Sequence, residues 1–169
     1  MRRADIHRLF DYLYWRRDRV LMEAAALPAG VFASTAEVAS RDLRSTLVHE
    51  LDVEWSWRVR LQGAREADWA DDRTLLPEAY PTVESLRDHW VRDESVMRAW
   101  ISATSDDALA APVTVNRLEG FPLEAYLTHV VMHGIQSFSE AGVLLAAAGH
   151  SVGDVDYLDS FDDRGIAGS

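Results

Sequence analysis

Apolar residues recur at helical spacing in four long stretches of the chain, and polar residues fill the positions between them. Glycine or proline follows each of the first two stretches. Ser40 and Thr82 stand where N-caps of the second and third helices are expected. Gly63 stands where the second helix should stop. We therefore predict four helices, at residues 4–27, 41–61, 83–101 and 123–148.

The connections between these stretches contain one β-prone segment and no alternation of strands with helices. That segment covers residues 112–116 and is followed by Gly120. A chain of 169 residues is of ordinary size for one domain. The pattern predicts a single all-α domain over residues 1–169, a four-helix bundle with a short β-prone insert before the last helix. The long second and third connections leave room for a non-sequential order of the helices.

The second helix carries carboxylates on its apolar face. One stripe of this helix contains Leu43, Leu47, Glu50, Glu54, Trp57 and Leu61. Glu50 and Glu54 therefore occupy positions where a plain bundle helix has leucine. A buried carboxylate is unfavourable unless it is paired, so one or both should meet an arginine, a histidine or a metal. Arg17 lies close to the apolar line of the first helix and is a candidate to pair with a buried carboxylate.

The fourth helix carries a polar stripe that is separate from its apolar face. At about 100° per residue, His129, His133, Gln136 and Glu140 fall within a narrow arc. The large apolar residues of this helix lie on a different arc, well over a right angle away. The stripe can face a metal, a cleft or bulk water, and that choice decides the function.

Composition narrows the chemistry that is available. The formal net charge is −11, which disfavours binding to nucleic acid because such a field repels phosphates. There is no cysteine, so a thiolate zinc site and a cysteine nucleophile are excluded, and thiol chemistry would need a thiol from the substrate. We find no signal-peptide core and no run of about 20 apolar residues, so we predict a cytoplasmic protein without a membrane span.

Three fragments together resemble the DinB-like superfamily. The second helix contains His49, then Glu54 five residues later and Trp57 three residues after that, a spacing that resembles this family's second helix. The run from His129 to Gly134 resembles the family's fourth-helix motif, and residues 155–158 resemble its tail. The resemblance implies an up-down-down-up bundle, and it implies that the protein forms a homodimer.

The resemblance also implies a divalent metal, zinc, nickel or iron, held by three histidines. His49 and His133 match two of these ligands, but Ser137 stands at the position of the third. His129 is also four residues from His133 and could substitute, although the pair His129/His133 points about 40° away from the family's pair. Glu140 or Glu54 could complete the site instead.

Two functions follow from the resemblance. In the first, the protein is similar to metal-dependent thiol S-transferases and isomerases. His49 and His133, with His129 as the substitute, would hold the metal, and Glu54 or Gln136 would orient a ligand or water. In the second, the bundle has lost its metal and binds a small ligand or serves as a dimeric scaffold. Tryptophans at 55, 57, 90 and 100 would then line a cleft.

Overall fold

The computed structural model describes residues 1–28, 30–34, 38–63, 74–115 and 118–162. Its four long helices confirm the predicted all-α bundle. Most of the acidic connection after Gly63, Asn116 at the end of the β-prone segment and the chain end from Asp163 lie outside the described residues. The elements are α1 (Arg3–Ala25), α2 (Leu43–Leu61), α3 (Val83–Ala103), α4 (Asp106–Ala110), β1 (Pro112–Val115), β2 (Leu118–Pro122), α5 (Leu123–Ala147) and α6 (Asp159–Asp162).

The N-caps decide where two of the helices begin. Asp42, and not Ser40, caps α2, because its carboxylate accepts a hydrogen bond from the backbone N–H of Ser45 at 2.6 Å. The helix therefore begins two residues later than predicted. Thr82 caps α3 as predicted, since its hydroxyl accepts from the backbone N–H of Ser85 at 3.1 Å. In both cases the side chain satisfies an N–H group that the helix leaves without a partner.

The helices do not follow one another around the bundle. Helix α1 packs against α3 and α5, and α2 packs against the same two helices. Going round the bundle, the order is therefore α1, α5, α2, α3, so the first two helices of the chain lie diagonally opposite each other. This is the non-sequential order for which the long connections leave room.

The direction of each helix follows from pairs of contacts at different heights. These are Met1–Glu124 and Arg16–Ser139 between α1 and α5, Asp11–Arg98 and Arg17–Glu94 between α1 and α3, Glu54–Trp90 and Arg58–Asp93 between α2 and α3, and Glu50–His133 and Trp57–His129 between α2 and α5. Helices α1 and α5 run parallel, α2 and α3 run parallel, and the two pairs are antiparallel. The bundle is therefore up-down-down-up.

The β-prone segment forms an antiparallel hairpin. Val113 of β1 pairs with Phe121 of β2, and the hairpin leads directly into the first turn of α5. Phe121 is about half exposed. The insert therefore brings a large aromatic side chain next to the start of the helix that carries His129 and His133.

Helix α5 is the most apolar of the long helices because it is central to the core. Among the described helices, it alone has the length and composition of a membrane span, with a mean hydropathy of 1.2 over its most apolar window. The sequence reasoning did not foresee this. The helix packs against both α1 and α2 and buries Leu127, Phe138, Ala141 and Leu145. That role in the bundle is consistent with a soluble protein, and the cytoplasmic location stays a prediction.

Candidate functional site

A buried carboxylate and two histidines meet where α2 and α5 cross. His133 of α5 lies beside His49 of α2, with 5.4 Å between the ring centroids and 63° between the ring planes. The Nδ1 atom of His133 is 2.5 Å from Oε2 of Glu50. The Glu50 side chain is fully buried, whereas that of His133 is 27% exposed. One carboxylate thus holds the ring from the inside of the bundle, while the ring itself reaches solvent.

A glycine provides the space for this carboxylate. Gly134 follows His133, and a Cβ atom at this position would lie 2.8 Å from Oε1 of Glu50 and 2.4 Å from Cδ1 of Leu13. Both distances are shorter than real Cβ contacts. The backbone of α5 can therefore approach Glu50 only because residue 134 lacks a side chain.

The environment moves the pKa values of the two histidines in opposite directions. The hydrogen bond to Glu50 raises the pKa of His133, against the effect of burial. Burial lowers the pKa of His49, and the nearby Arg41 and His133 act in the same direction. Of the two rings, His133 is thus the one that favours the protonated form and His49 the one that favours the neutral form.

The contact with His133 also affects the pKa of the Glu50 carboxylate. Burial raises the pKa of Glu50, because the charged form loses its hydration, and the hydrogen bond from His133 opposes this effect. The hydroxyl of Ser137 also lowers the pKa of Glu50. Ser137 is nearly buried, at 6% exposure. The family resemblance expects a third histidine at this position. This chain has a hydroxyl there, which favours the charged form of Glu50.

His129 takes part in a different set of contacts. Its ring packs edge-on against Trp57, with 5.2 Å between centroids, and lies 6.4 Å from the ring of His133. Burial and the proximity of His133 lower the pKa of His129. The i,i+4 pair predicted from sequence thus lies on one side of α5, but only His133 lies in ring contact with His49 among the described residues.

The donor set does not complete a three-ligand metal site. No group of three His, Asp or Glu side chains among the described residues has an arrangement that could hold a metal ion. Glu140, one of the two carboxylates considered as a further ligand, lies near enough to His49 to raise its pKa, and no closer contact between them is found in the described part of the chain. His49 and His133 are thus neighbours, and no third donor joins them in the described part of the chain.

Glu54, the other of these carboxylates, faces away from the histidines. It is fully buried, and its Oε1 accepts a hydrogen bond from the indole N–H of Trp90 of α3 at 3.1 Å. Arg17 of α1 opposes the rise in the pKa of Glu54 that burial and Glu50 cause. The guanidinium of Arg17 forms an ion pair with Glu94 at 2.6 Å, so the arginine predicted to meet a carboxylate does so, on α3.

Gln136, predicted to orient a ligand, is exposed on the outer side of α5. No hydrogen bond of its side chain to any described residue is found. The structure thus brings His49, His133 and Glu50 together. Glu54 lies apart from them in the interior of the bundle, and Gln136 lies apart from them on the exposed side of α5.

An aromatic pocket adjoins His129. It has a volume of about 280 Å³ and is lined by Trp57, Phe121, Ala125, Tyr126 and His129. Of these residues the sequence reasoning selected only Trp57 and His129. Tyr126 has helical spacing to His129 and could have been found from the sequence, but Phe121 reaches the pocket only because the hairpin folds against α5.

The comparisons with known proteins agree with the geometry of the bundle. The family model described as "DinB family" matches residues 1–164, nearly the whole chain. Comparison with curated proteins gives no match.

Proposed function

The chain belongs to the DinB family, and from this premise we propose that it binds a small molecule at His49 and His133 and catalyses proton transfer on it. The observation that carries the proposal is the 2.5 Å contact between Nδ1 of His133 and Oε2 of Glu50. A buried carboxylate of this kind orients an imidazole and fixes its tautomer. It leaves the other ring nitrogen, Nε2, for the substrate.

The two histidines would have different roles in proton transfer. Since neighbouring groups whose pKa values move apart are suited to acid and base roles, His49 is the base and His133 the acid. The two rings are in contact, with 5.4 Å between their centroids, and both are partly exposed, so one small reacting group at their solvent-facing edges can touch both. The motif found in the sequence thus supplies a proton acceptor and a proton donor side by side.

A small-molecule thiol is the substrate class that we propose for this pair. His49 would accept the thiol proton, so that the S–H bond breaks as an N–H bond forms. The thiolate would then add to an electrophilic carbon of a second molecule and form an S–C bond. His133 would give its proton to the anion that this addition creates, and a proton passing from His49 back to His133 restores both rings. The chain has no cysteine of its own, so the sulfur has to come from the substrate.

A divalent metal held by His49 and His133 is the second candidate. It is favoured by the hydrogen bond from His133 to Glu50, since metal-binding histidines commonly donate their other ring N–H to a carboxylate. Zinc, nickel or iron would suit imidazole ligands. Ser137 in place of the third histidine weighs against this candidate, because two imidazoles alone bind such metals weakly.

The two candidates differ in their response to a chelator. We would purify the protein without a metal-binding tag, measure its metal content, and follow the addition of 2-mercaptoethanol to N-ethylmaleimide with and without EDTA. Under our proposal, the rate enhancement persists in EDTA and falls by about 100-fold or more in His133→Ala, a common loss for a general acid or base. His7→Ala is the matched control, because His7 lies on α1, diagonally across the bundle from the helix of His49, with its ring against Ser102 of α3, and the substitution should leave the rate unchanged.

The opposite result would favour the metal. A near-stoichiometric metal content that is lost in His133→Ala, together with a rate that EDTA abolishes and zinc restores, would contradict the proposed metal-independent mechanism. Equal rates in the wild type, His133→Ala and the buffer alone would contradict both candidates for this thiol.

A further inference from the structure

The aromatic pocket beside His129 has three walls from three different elements. Trp57 comes from α2, Phe121 from β2, and Tyr126 from the first turn of α5. The centroid of the Tyr126 ring is 5.6 Å from that of Trp57 and 6.0 Å from that of Phe121. The Phe121 ring stands nearly perpendicular to the Tyr126 ring, at 86°. These three rings surround a concave space that remains open to solvent.

The lining of the pocket restricts the chemistry of its occupant. Ala125 is exposed and adds only a methyl group, which leaves the space between the rings open. His129 is the one lining residue with a titratable side chain in the pH range near neutrality, and no carboxylate or guanidinium is among the lining residues. Apolar and aromatic walls with a few polar groups are typical of sites for small organic molecules. The pocket therefore suits a neutral apolar group better than an ion.

The size of the pocket restricts its occupant further. A volume of about 280 Å³ is just below the range for small-molecule sites, about 300 to 1,000 Å³. One six-membered ring with a short arm fits such a space, whereas a nucleotide or a tripeptide does not. Aromatic side chains also favour a flat ring, which can take edge-to-face or offset-stacked positions against them.

The pocket adjoins the histidine site, with His129 between them. The ring of His129 contacts Trp57 on one side, and its centroid is 6.4 Å from that of His133 on the other. The arm of a ligand whose ring lies between Trp57 and Phe121 would therefore run along His129 towards His133. This geometry separates the part of a ligand that is recognised from the part that reacts.

We propose that this pocket binds the aromatic ring of the small-molecule thiol, so that the preferred substrate class is an arylalkyl thiol with one ring. The proposal rests on the function proposed above and adds the substrate class to it. Trp57, Phe121 and Tyr126 bind the ring, and His129 lines the passage through which the sulfur reaches His49 and His133.

The test compares two thiols and three proteins. Benzyl mercaptan carries the ring, and 2-mercaptoethanol lacks it. We define the ring preference as the ratio of the dissociation constant of 2-mercaptoethanol to that of benzyl mercaptan, measured by NMR titration under reducing conditions. The three proteins are the wild type, Ala125→Leu, which fills the pocket, and Ala146→Leu, which adds the same side chain at an exposed position near the other end of α5.

We expect a ring preference of at least tenfold in the wild type and in Ala146→Leu, and a loss of most of it in Ala125→Leu. The indole N–H resonance of Trp57, identified with Trp57→Phe, should shift on addition of benzyl mercaptan to the wild type. An equal ring preference in all three proteins would overturn the proposal. So would a wild type with no ring preference, or one whose Trp57 resonance does not respond.

Catalysis with 2-mercaptoethanol tests the proposed function independently of the aromatic pocket. Catalysis with 2-mercaptoethanol in the wild type depends on the histidines and needs no ring in the pocket. If that catalysis occurs but the ring preference is unaffected by Ala125→Leu, the aromatic pocket proposal fails and the proposed function stands. If no thiol reacts but the ring preference depends on Ala125, the pocket stands and the proposed chemistry fails.

Discussion

The close approach of α5 to Glu50 can be tested with a single methyl group. Gly134→Ala would place a Cβ atom 2.8 Å from Oε1 of Glu50 and 2.4 Å from Cδ1 of Leu13. Both neighbours belong to fully buried side chains, so each would have to repack within the core to make space. Adding a methyl group to a packed core typically costs about 1–3 kcal/mol in the free energy of unfolding. We expect the substitution also to displace the Glu50 carboxylate from His133.

The helix offers a matched control for this substitution. Gly142 lies on the same helix, and a Cβ atom there would meet only Cγ2 of Val152, at the ordinary contact distance of 3.6 Å. Replacing glycine with alanine inside a helix stabilises it by about 1 kcal/mol, and this gain applies to both positions. Gly142→Ala should therefore be more stable than the wild type by up to about 1 kcal/mol. Gly134→Ala should be less stable than Gly142→Ala by about 1–3 kcal/mol.

Urea unfolding of the three proteins at one pH measures both effects. The comparison is valid where the dependence of the unfolding free energy on urea concentration is the same for all three. NMR of the His133 ring nitrogens adds a second readout, since a displaced carboxylate changes the hydrogen bond at Nδ1. If Gly134→Ala gains as much stability as Gly142→Ala and leaves the His133 resonances unchanged, the space beside Glu50 accepts a methyl group and the argument from close packing is refuted.

Two further substitutions test the buried charges of the bundle. Burial raises the pKa of Glu54 well above its usual value of 4.5. The native state therefore holds more protons than the unfolded state above pH 4.5, and this group makes stability fall with rising pH, by at most about 1.4 kcal/mol per pH unit. Glu54→Gln should unfold less readily than the wild type by a margin that grows from pH 5 to pH 8 in urea titrations, and parallel pH profiles would contradict this. Arg17→Met should lower the unfolding free energy by about 2 kcal/mol, because it removes the buried one of the two arginines paired with Glu94 and leaves only Arg98. A loss below about 1 kcal/mol would mean that Arg98 alone satisfies Glu94.

The sequence alone predicts the bundle and the acidic side chains buried inside it. Helical periodicity predicted the four long helices, and the β-prone segment predicted the insert. The two carboxylates on the apolar stripe of α2 predicted buried acids in need of partners, and both are fully buried. These features depend on local spacing, since residues three or four positions apart share a helix face whatever packs against it.

The partner of each of these groups depends on how the helices pack against one another. Glu50 and Glu54 are one turn apart on the same stripe, yet Glu50 contacts His133 of α5 and Glu54 contacts Trp90 of α3. Successive positions of the stripe are rotated slightly about the axis of α2. Because α2 packs against both α3 and α5, this rotation places each carboxylate against a different helix. His129 likewise lies against Trp57 and not against His49. Because α2 and α5 run antiparallel, the step from His133 back to His129 on α5 leads to positions further along α2, where Trp57 stands. Spacing along one helix fixes a face, but the identity of the groups across that face depends on how the helices are packed.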